Sequence, residues 1–180
     1  IVDPGDDAKL IRNELAAYGL IPECIVNTHG HYDHIGANHE FAVPIWIHEG
    51  DREFLQDDSK NMSLFMGIKC HSPAAQRVLK DRDIFYIGDQ AVYVIHTPGH
   101  TPGSICLSSG TILITGDTLF RESIGRTDLP HGDPKTIMVS IRERILPFDD
   151  HTTIYPGHGE PSTIGWERTH NFFLSRTHWQ

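Results

Sequence analysis

Residues 28–34, Thr-His-Gly-His-Tyr-Asp-His, place four side chains able to ligate a metal within six positions. Alternation along an extended segment puts His29 and His31 on one side. Asp33 and His34 follow where the segment turns, so they point elsewhere. Two neighbouring cations suit that division better than one. Neutral imidazole and carboxylate are ligands that zinc, iron(II) and manganese accept. Alone, the run could be a histidine-rich surface loop.

Three later stretches argue for more. Thr97-Pro98-Gly99-His100-Thr101-Pro102-Gly103 locks a histidine in a glycine- and proline-rich turn. Leu113-Ile114-Thr115-Gly116-Asp117 ends an apolar run on a carboxylate, and Thr153-Ile154-Tyr155-Pro156-Gly157-His158-Gly159 repeats the pattern of strand, turn, ligand. A turn histidine usually faces solvent, and Gly-Asp is a common turn pair. Yet each stretch follows a short apolar run, where sheet proteins present functional loops on a rigid scaffold. With the first cluster they give five histidines and two aspartates: His29, His31, Asp33, His34, His100, Asp117 and His158. That set fills two metal sites with one carboxylate left to bridge them.

The order His-x-His-x-Asp-His, then His, then Asp, then His resembles the metallo-β-lactamase superfamily. Within it, residues 97–104, Gly116-Asp117-Thr118-Leu119-Phe120 and Pro156-Gly157-His158-Gly159 are similar to short, glyoxalase II-like (hydroxyacylglutathione hydrolase-like) metallo-hydrolases of prokaryotes. The likeness runs from Asp3-Pro4-Gly5 to Thr163-Ile164-Gly165-Trp166-Glu167-Arg168. It implies an α/β fold, the αβ/βα sandwich, as one domain over residues 1–180 with metals at one edge. Ile1-Val2-Asp3 reads as the end of a strand entering a Pro-Gly turn, and the resemblance expects further strands before it. Two divalent metal ions are implied, zinc first, with iron or manganese also accepted. His29, His31 and His100 would hold one, Asp33, His34 and His158 the other, and Asp117 would bridge them. Asp3 matches an acidic residue beside the ligands, expected to orient a histidine through its distal N–H. The alternative for Asp3 is an aspartate that merely starts a turn.

The implied chemistry is hydrolysis, with Asp33 and Asp117 counted among the catalytic groups. A bound dication lowers the pKa of water from about 15.7 to about 7, and a hydroxide bridging the metals would attack a carbonyl carbon. A thiolate with a pKa near 8.5 leaves with little protonation, so a small anionic thioester such as an S-acyl-glutathione suits a site without an obvious general acid. Arg126, in Ser123-Ile124-Gly125-Arg126-Thr127-Asp128, is the candidate for holding a substrate carboxylate; a salt bridge to Asp128 or Asp133 is the competing reading. The tyrosine that helps hold glutathione in glyoxalase II has no counterpart in this stretch. Gly125-Arg126-Thr127-Asp128 is also similar to persulfide dioxygenases of the superfamily. Those use a single iron, for which His29, His100 and Asp117 would form the triad. The Gly-Asp-Thr-Leu-Phe run is closer to the hydrolase form. A β-lactamase would commonly carry cysteine or serine where Asp117 stands.

Other classes fare worse. The net charge of −9 and the lack of a basic run disfavour nucleic acid. No apolar stretch approaches the roughly 20 residues that span a bilayer, and the chain opens without a signal-peptide pattern. Cys24, Cys70 and Cys106, odd in number and widely spaced with no Cys-x-x-Cys, read as reduced, buried thiols of a cytoplasmic protein rather than as a disulfide pair and a leftover. The histidines at 39, 48, 71, 96, 131, 151, 170 and 178 lack a ligand motif and read as surface or satisfied core residues.

Periodicity predicts helices over 6–18, 35–41, 135–146 and 166–175 and a helical turn over 51–55. It predicts strands over 24–28, 43–48, 91–97, 104–107, 111–115 and 153–155. Residues 56–72 show no period; they form either a lid or substrate wall, or a surface loop packing its own apolar residues.

Overall fold

The computed structural model describes residues 1–174; His178 and the last position of the helix expected at 166–175 lie outside the described residues. The chain divides into two compact units, Ile1–Leu79 and Lys80–Gln180.

In the first unit, Asp7 accepts a hydrogen bond from Leu10 N at 2.9 Å and caps α1 (Ala8–Ala17), satisfying a donor that every helix start leaves open. Gly19, at φ +63°, follows its end. Strands β1 (Ile25–Val26), β2 (Ile45–His48) and β3 (Arg77–Leu79) form a parallel sheet in that order. Val2 adds a parallel bridge to Val26. Buried parallel strands read as continuous apolar runs, and Ile25, Ile45, Ile47 and Leu79 are fully buried here. Ile25, Ile45 and Ile47 pack with Ile35, Phe41, Leu55 and Cys70 into one core. β3 was not expected: three residues carry too little pattern, and it is defined by pairing with β2.

The helix expected at 35–41 is corrected. It starts on the histidine run itself as α2 (Tyr32–Ile35), because extended His31 accepts through its carbonyl from His34 N and Ile35 N. Gly36 then lies against the Gly5 carbonyl, which an added Cβ would meet at 2.9 Å. The chain breaks there and resumes as a separate 3-10 turn, Asn38–Glu40. A 3-10 run, Glu49–Gln56, follows β2. In the aperiodic stretch, α3 (Ser63–Met66) leaves Leu64, Phe65 and Met66 exposed while Met62 packs inward.

The second unit is built on a six-stranded sheet, ordered β11-β10-β7-β6-β5-β4. Its strands are β4 (Ile84–Ile87), β5 (Gln90–His96), β6 (Ile105–Ser109), β7 (Ile112–Gly116), β10 (Thr153–Pro156) and β11 (Ser162–Thr163). A short hairpin, β8 (Leu119–Phe120) with β9 (Ser123–Ile124), stands beside it. Every pairing in the large sheet is antiparallel except β7 with β10. Asp133 caps α4 (Pro134–Ser140) by accepting from Lys135 N and Thr136 N, both at 2.8 Å, with proline at the first helical position. The expected helix over 135–146 continues past α4 as π-helical turns over Ile141–Ile145. Its stripe of Ile137, Met138, Ile141 and Ile145 is buried against Cys106, Leu113, Leu119, Ile154 and Ile164. Ile164 opens α5 (Ile164–His170). All three cysteines carry free thiols; Cys70 and Cys106 are buried and Cys24 half-buried. No helix among the described residues is long and apolar enough to cross a membrane.

Candidate metal centre

The histidine run is held by its backbone before any side chain is considered. Thr28 N donates to Asp3 Oδ1 at 2.7 Å, Gly30 N to Asp51 Oδ2 at 2.9 Å and Tyr32 N to the Asn61 carbonyl at 2.9 Å. Every second amide is therefore tied to a different part of the first unit. Asp3, at φ +44°, also accepts from Thr28 Oγ1 at 2.6 Å and lies 3.0 Å from His34 Nδ1 through Oδ2. A carboxylate at Nδ1 favours the proton there, which leaves Nε2 of His34 as the ligating nitrogen. His29, His31 and His34 are all buried. The His29 and His34 ring centroids are 4.0 Å apart, and those of His29 and His31 are 4.8 Å apart at right angles. Asp3, His29 and His34 each bring a ligand atom within 4.8 Å of the others. Asp33 lies on the first turn of α2.

The second unit assembles the other three. His100 follows Gly99, whose φ of +133° and approach to Ile137 N, 2.2 Å from an added Cβ, admit no side chain. His100 Nδ1 lies 2.8 Å from the Arg126 carbonyl, which as an acceptor puts the proton on Nδ1. His100 Nε2 is then 3.5 Å from Asp117 Oδ2. β7 and β10 run parallel, so their C-terminal ends deliver Asp117 and His158 to the same edge of the sheet. Gly157 N bonds the Gly116 carbonyl at 2.9 Å and ties the two loops together. His158 Nε2 is 3.8 Å from the same Asp117 oxygen, on a side chain 54% exposed.

Arg126 is engaged rather than open. Its guanidinium grips Asp128 with two 2.9 Å bonds, and that contact holds the Asp128 carboxyl down to about 2. The salt bridge weighed from the sequence is thus the arrangement seen, while the residue's carbonyl serves His100. Of the remaining histidines, His48 is buried and accepts from Gly50 N at 3.2 Å, and His96 Nε2 lies 2.8 Å from the Pro102 carbonyl. Those at 39, 71, 131, 151 and 170 are exposed. Sequence reasoning missed Asp51, Asn61 and the Arg126 carbonyl, since none sits in a ligand motif and two of the three contacts use backbone atoms. The donors fit divalent metal ions by their chemistry: imidazoles, two of them, His34 and His100, held at Nδ1 so that Nε2 is left to ligate, beside carboxylates.

Residues 1–158 match the family model of the metallo-β-lactamase superfamily. The chain belongs to that superfamily of metallo-hydrolases and has its α/β sandwich fold. Among its relatives, "Probable metallo-hydrolase YqgX" of Bacillus subtilis (strain 168) is 35% identical, over 97% of this chain and 86% of that protein. "Hydroxyacylglutathione hydrolase GloC" of Haemophilus influenzae is also 35% identical, with the same two coverages. Among solved structures, the BLEG-1 B3 metallo-β-lactamase is 38% identical with a TM-score of 0.91, covering 97% of this chain and 87% of that one. TTHA1623, solved in a di-iron-bound form, is 32% identical with a TM-score of 0.85, covering 96% and 88%.

Proposed function

We propose that His29, His31, Asp33, His34, His100, Asp117 and His158 together hold two divalent metal ions and that the protein hydrolyses a small anionic thioester. The observation that carries the reading is Asp117, whose one carboxylate oxygen lies within 4 Å of both His100 Nε2 and His158 Nε2. That is where a carboxylate shared between two ions belongs. Bound dications would supply a water of lowered pKa and polarise the scissile carbonyl. The chain's own part is orientation: Asp3 holds His34 by Nδ1, and the Arg126 carbonyl holds His100 the same way. Asp33 and Asp117 supply the negative charge that keeps two cations together.

Likeness to GloC supports a hydroxyacylglutathione-type thioester, and likeness to TTHA1623 supports iron beside zinc as a candidate metal. Arg126 would meet a substrate carboxylate only by exchanging it for Asp128. Likeness to BLEG-1 favours a β-lactam as the competing substrate.

Metal analysis of protein purified without added metal, with a panel of thioesters, a β-lactam and a persulfide, tests the reading. Two metals per chain with a thioester preferred, and an anionic one over its neutral analogue, is the expected result. Preference for the β-lactam would replace the substrate. One iron with oxygen consumed on persulfide would replace the reaction.

A further inference from the structure

We propose that Asp51 is a positioning residue that sets His29 and His31 for metal binding, acting through the peptide between them. The inference rests on the metal-centre reading above and goes beyond it in naming a residue outside the ligand set.

Gly30 separates the two histidines, and two residues of one 3-10 run meet it. Asp51 Oδ2 accepts from its N–H at 2.9 Å, and Phe54 fills the space where a side chain would go, 2.3 Å from an added Cβ. Gly30 is therefore required by space, and its orientation is set by a carboxylate. Phe54 also faces His31, with ring centroids 6.3 Å apart. Its carbonyl accepts from Asn61 Nδ2 at 3.0 Å, and the Asn61 carbonyl takes the Tyr32 amide. The amides on either side of His31 thus both end on residues 51–61, so that segment determines where the imidazole points.

A buried amide can be satisfied by any carbonyl. Asp51 is instead a carboxylate with no exposed surface, and burying one costs several kcal/mol unless it is compensated. A negative charge behind a loop whose other face presents imidazoles attracts cations to that loop. Orientation and charge both favour the loaded state, as outer partners of metal ligands generally do.

Zinc affinity of the purified protein, read by competition with a chromophoric chelator, tests this alongside the cobalt(II) absorption spectrum and the melting temperature of the metal-free form. Asp51→Ala should weaken zinc binding roughly 10- to 100-fold on protein that still melts cooperatively, and should alter the cobalt spectrum. Asp51→Asn keeps an oxygen for Gly30 N and removes the negative charge, so a smaller loss, about three- to tenfold, is expected. A folded Asp51→Ala with wild-type affinity and spectrum, or an Asp51→Asn as weak as Asp51→Ala, overturns the positioning role. If Asp51→Ala does not fold, Asp51→Asn decides, and unchanged affinity overturns the proposal. Wild-type protein that binds no metal ends the metal-centre reading and this one together. Metal binding without thioester hydrolysis ends only the substrate assignment.

Discussion

Gly125→Ala tests how closely the second half of the site is fitted. A Cβ at this position would lie 1.8 Å from the Asp117 carbonyl oxygen and 3.3 Å from Ile137 Cδ1, where ordinary contact begins near 3.4 Å. The chain must open by roughly 1.6 Å, the difference between 3.4 and 1.8 Å. It cannot swing freely, because Glu122 N is bound to Glu167 at 2.8 Å and the Ser123 carbonyl to Asn171 at 3.0 Å. The displacement therefore falls on residues 125 and 126, and a shift of that size breaks the 2.8 Å contact between the Arg126 carbonyl and His100. Overpacking costs about 1–3 kcal/mol and the lost hydrogen bond about 1 kcal/mol, together about 2–4 kcal/mol. For a chain of this size each kcal/mol lowers Tm by about 2–4 °C, so a fall of about 4–16 °C is expected. Zinc affinity should drop with it, since His100 loses its tether. Circular dichroism melts of the metal-free protein and chelator competition measure the two effects. Gly110→Ala is the control: at φ +57° with nothing within 4 Å of an added Cβ, it carries only the left-handed penalty of about 1–2 kcal/mol and should leave zinc affinity unchanged. A melting temperature within 2 °C of wild type and unaltered affinity in Gly125→Ala would refute the argument.

Two further perturbations probe different links. Asp117→Ala should lose both metals whereas His34→Ala should empty one, read as metal per chain; full retention of both by Asp117→Ala would remove the bridging role. Burial pushes the Cys106 thiol up from 9.0 to about 11. Its folded form thus holds a proton that the unfolded chain releases. That stabilisation is complete below pH 9 and is lost as pH rises towards 11. The decline of Tm between those limits should be shallower in Cys106→Ala, and an identical decline would show that another group governs it.

The ligand motifs were legible because each rides on a short apolar run next to glycine or proline, a pattern that needs no tertiary information. The same holds for α1 and for the helix after Asp133, where cap and stripe lie within one window. What escaped the sequence is what depends on partners distant along it. β3, β8 and β9 are two or three residues long and are defined by pairing. The start of α2 is set by the carbonyl of His31 and its end by that of Gly5. Asp51 reads as one more acidic residue in a turn until Gly30 is seen to donate to it. The charge of Arg126 is visible in the sequence, while the contact that its carbonyl makes to His100 uses an atom that every residue has.

The two cores have a consequence for how the protein handles its ions. Neither the cluster around Ile25, Ile45 and Ile47 nor the one around Leu113, Ile137 and Ile154 includes a metal-ligating residue of the proposed set. Small zinc domains lack such cores, and chelation unfolds them. Cores of this size predict that folding and loading are separable here, so that stripping bound ions should leave a shaped apoprotein. An emptied vessel of that kind can be refilled, and ligands of this type accept several first-row ions. On that expectation the occupant would follow metal supply as the chain matures, and exchange would need no round of unfolding.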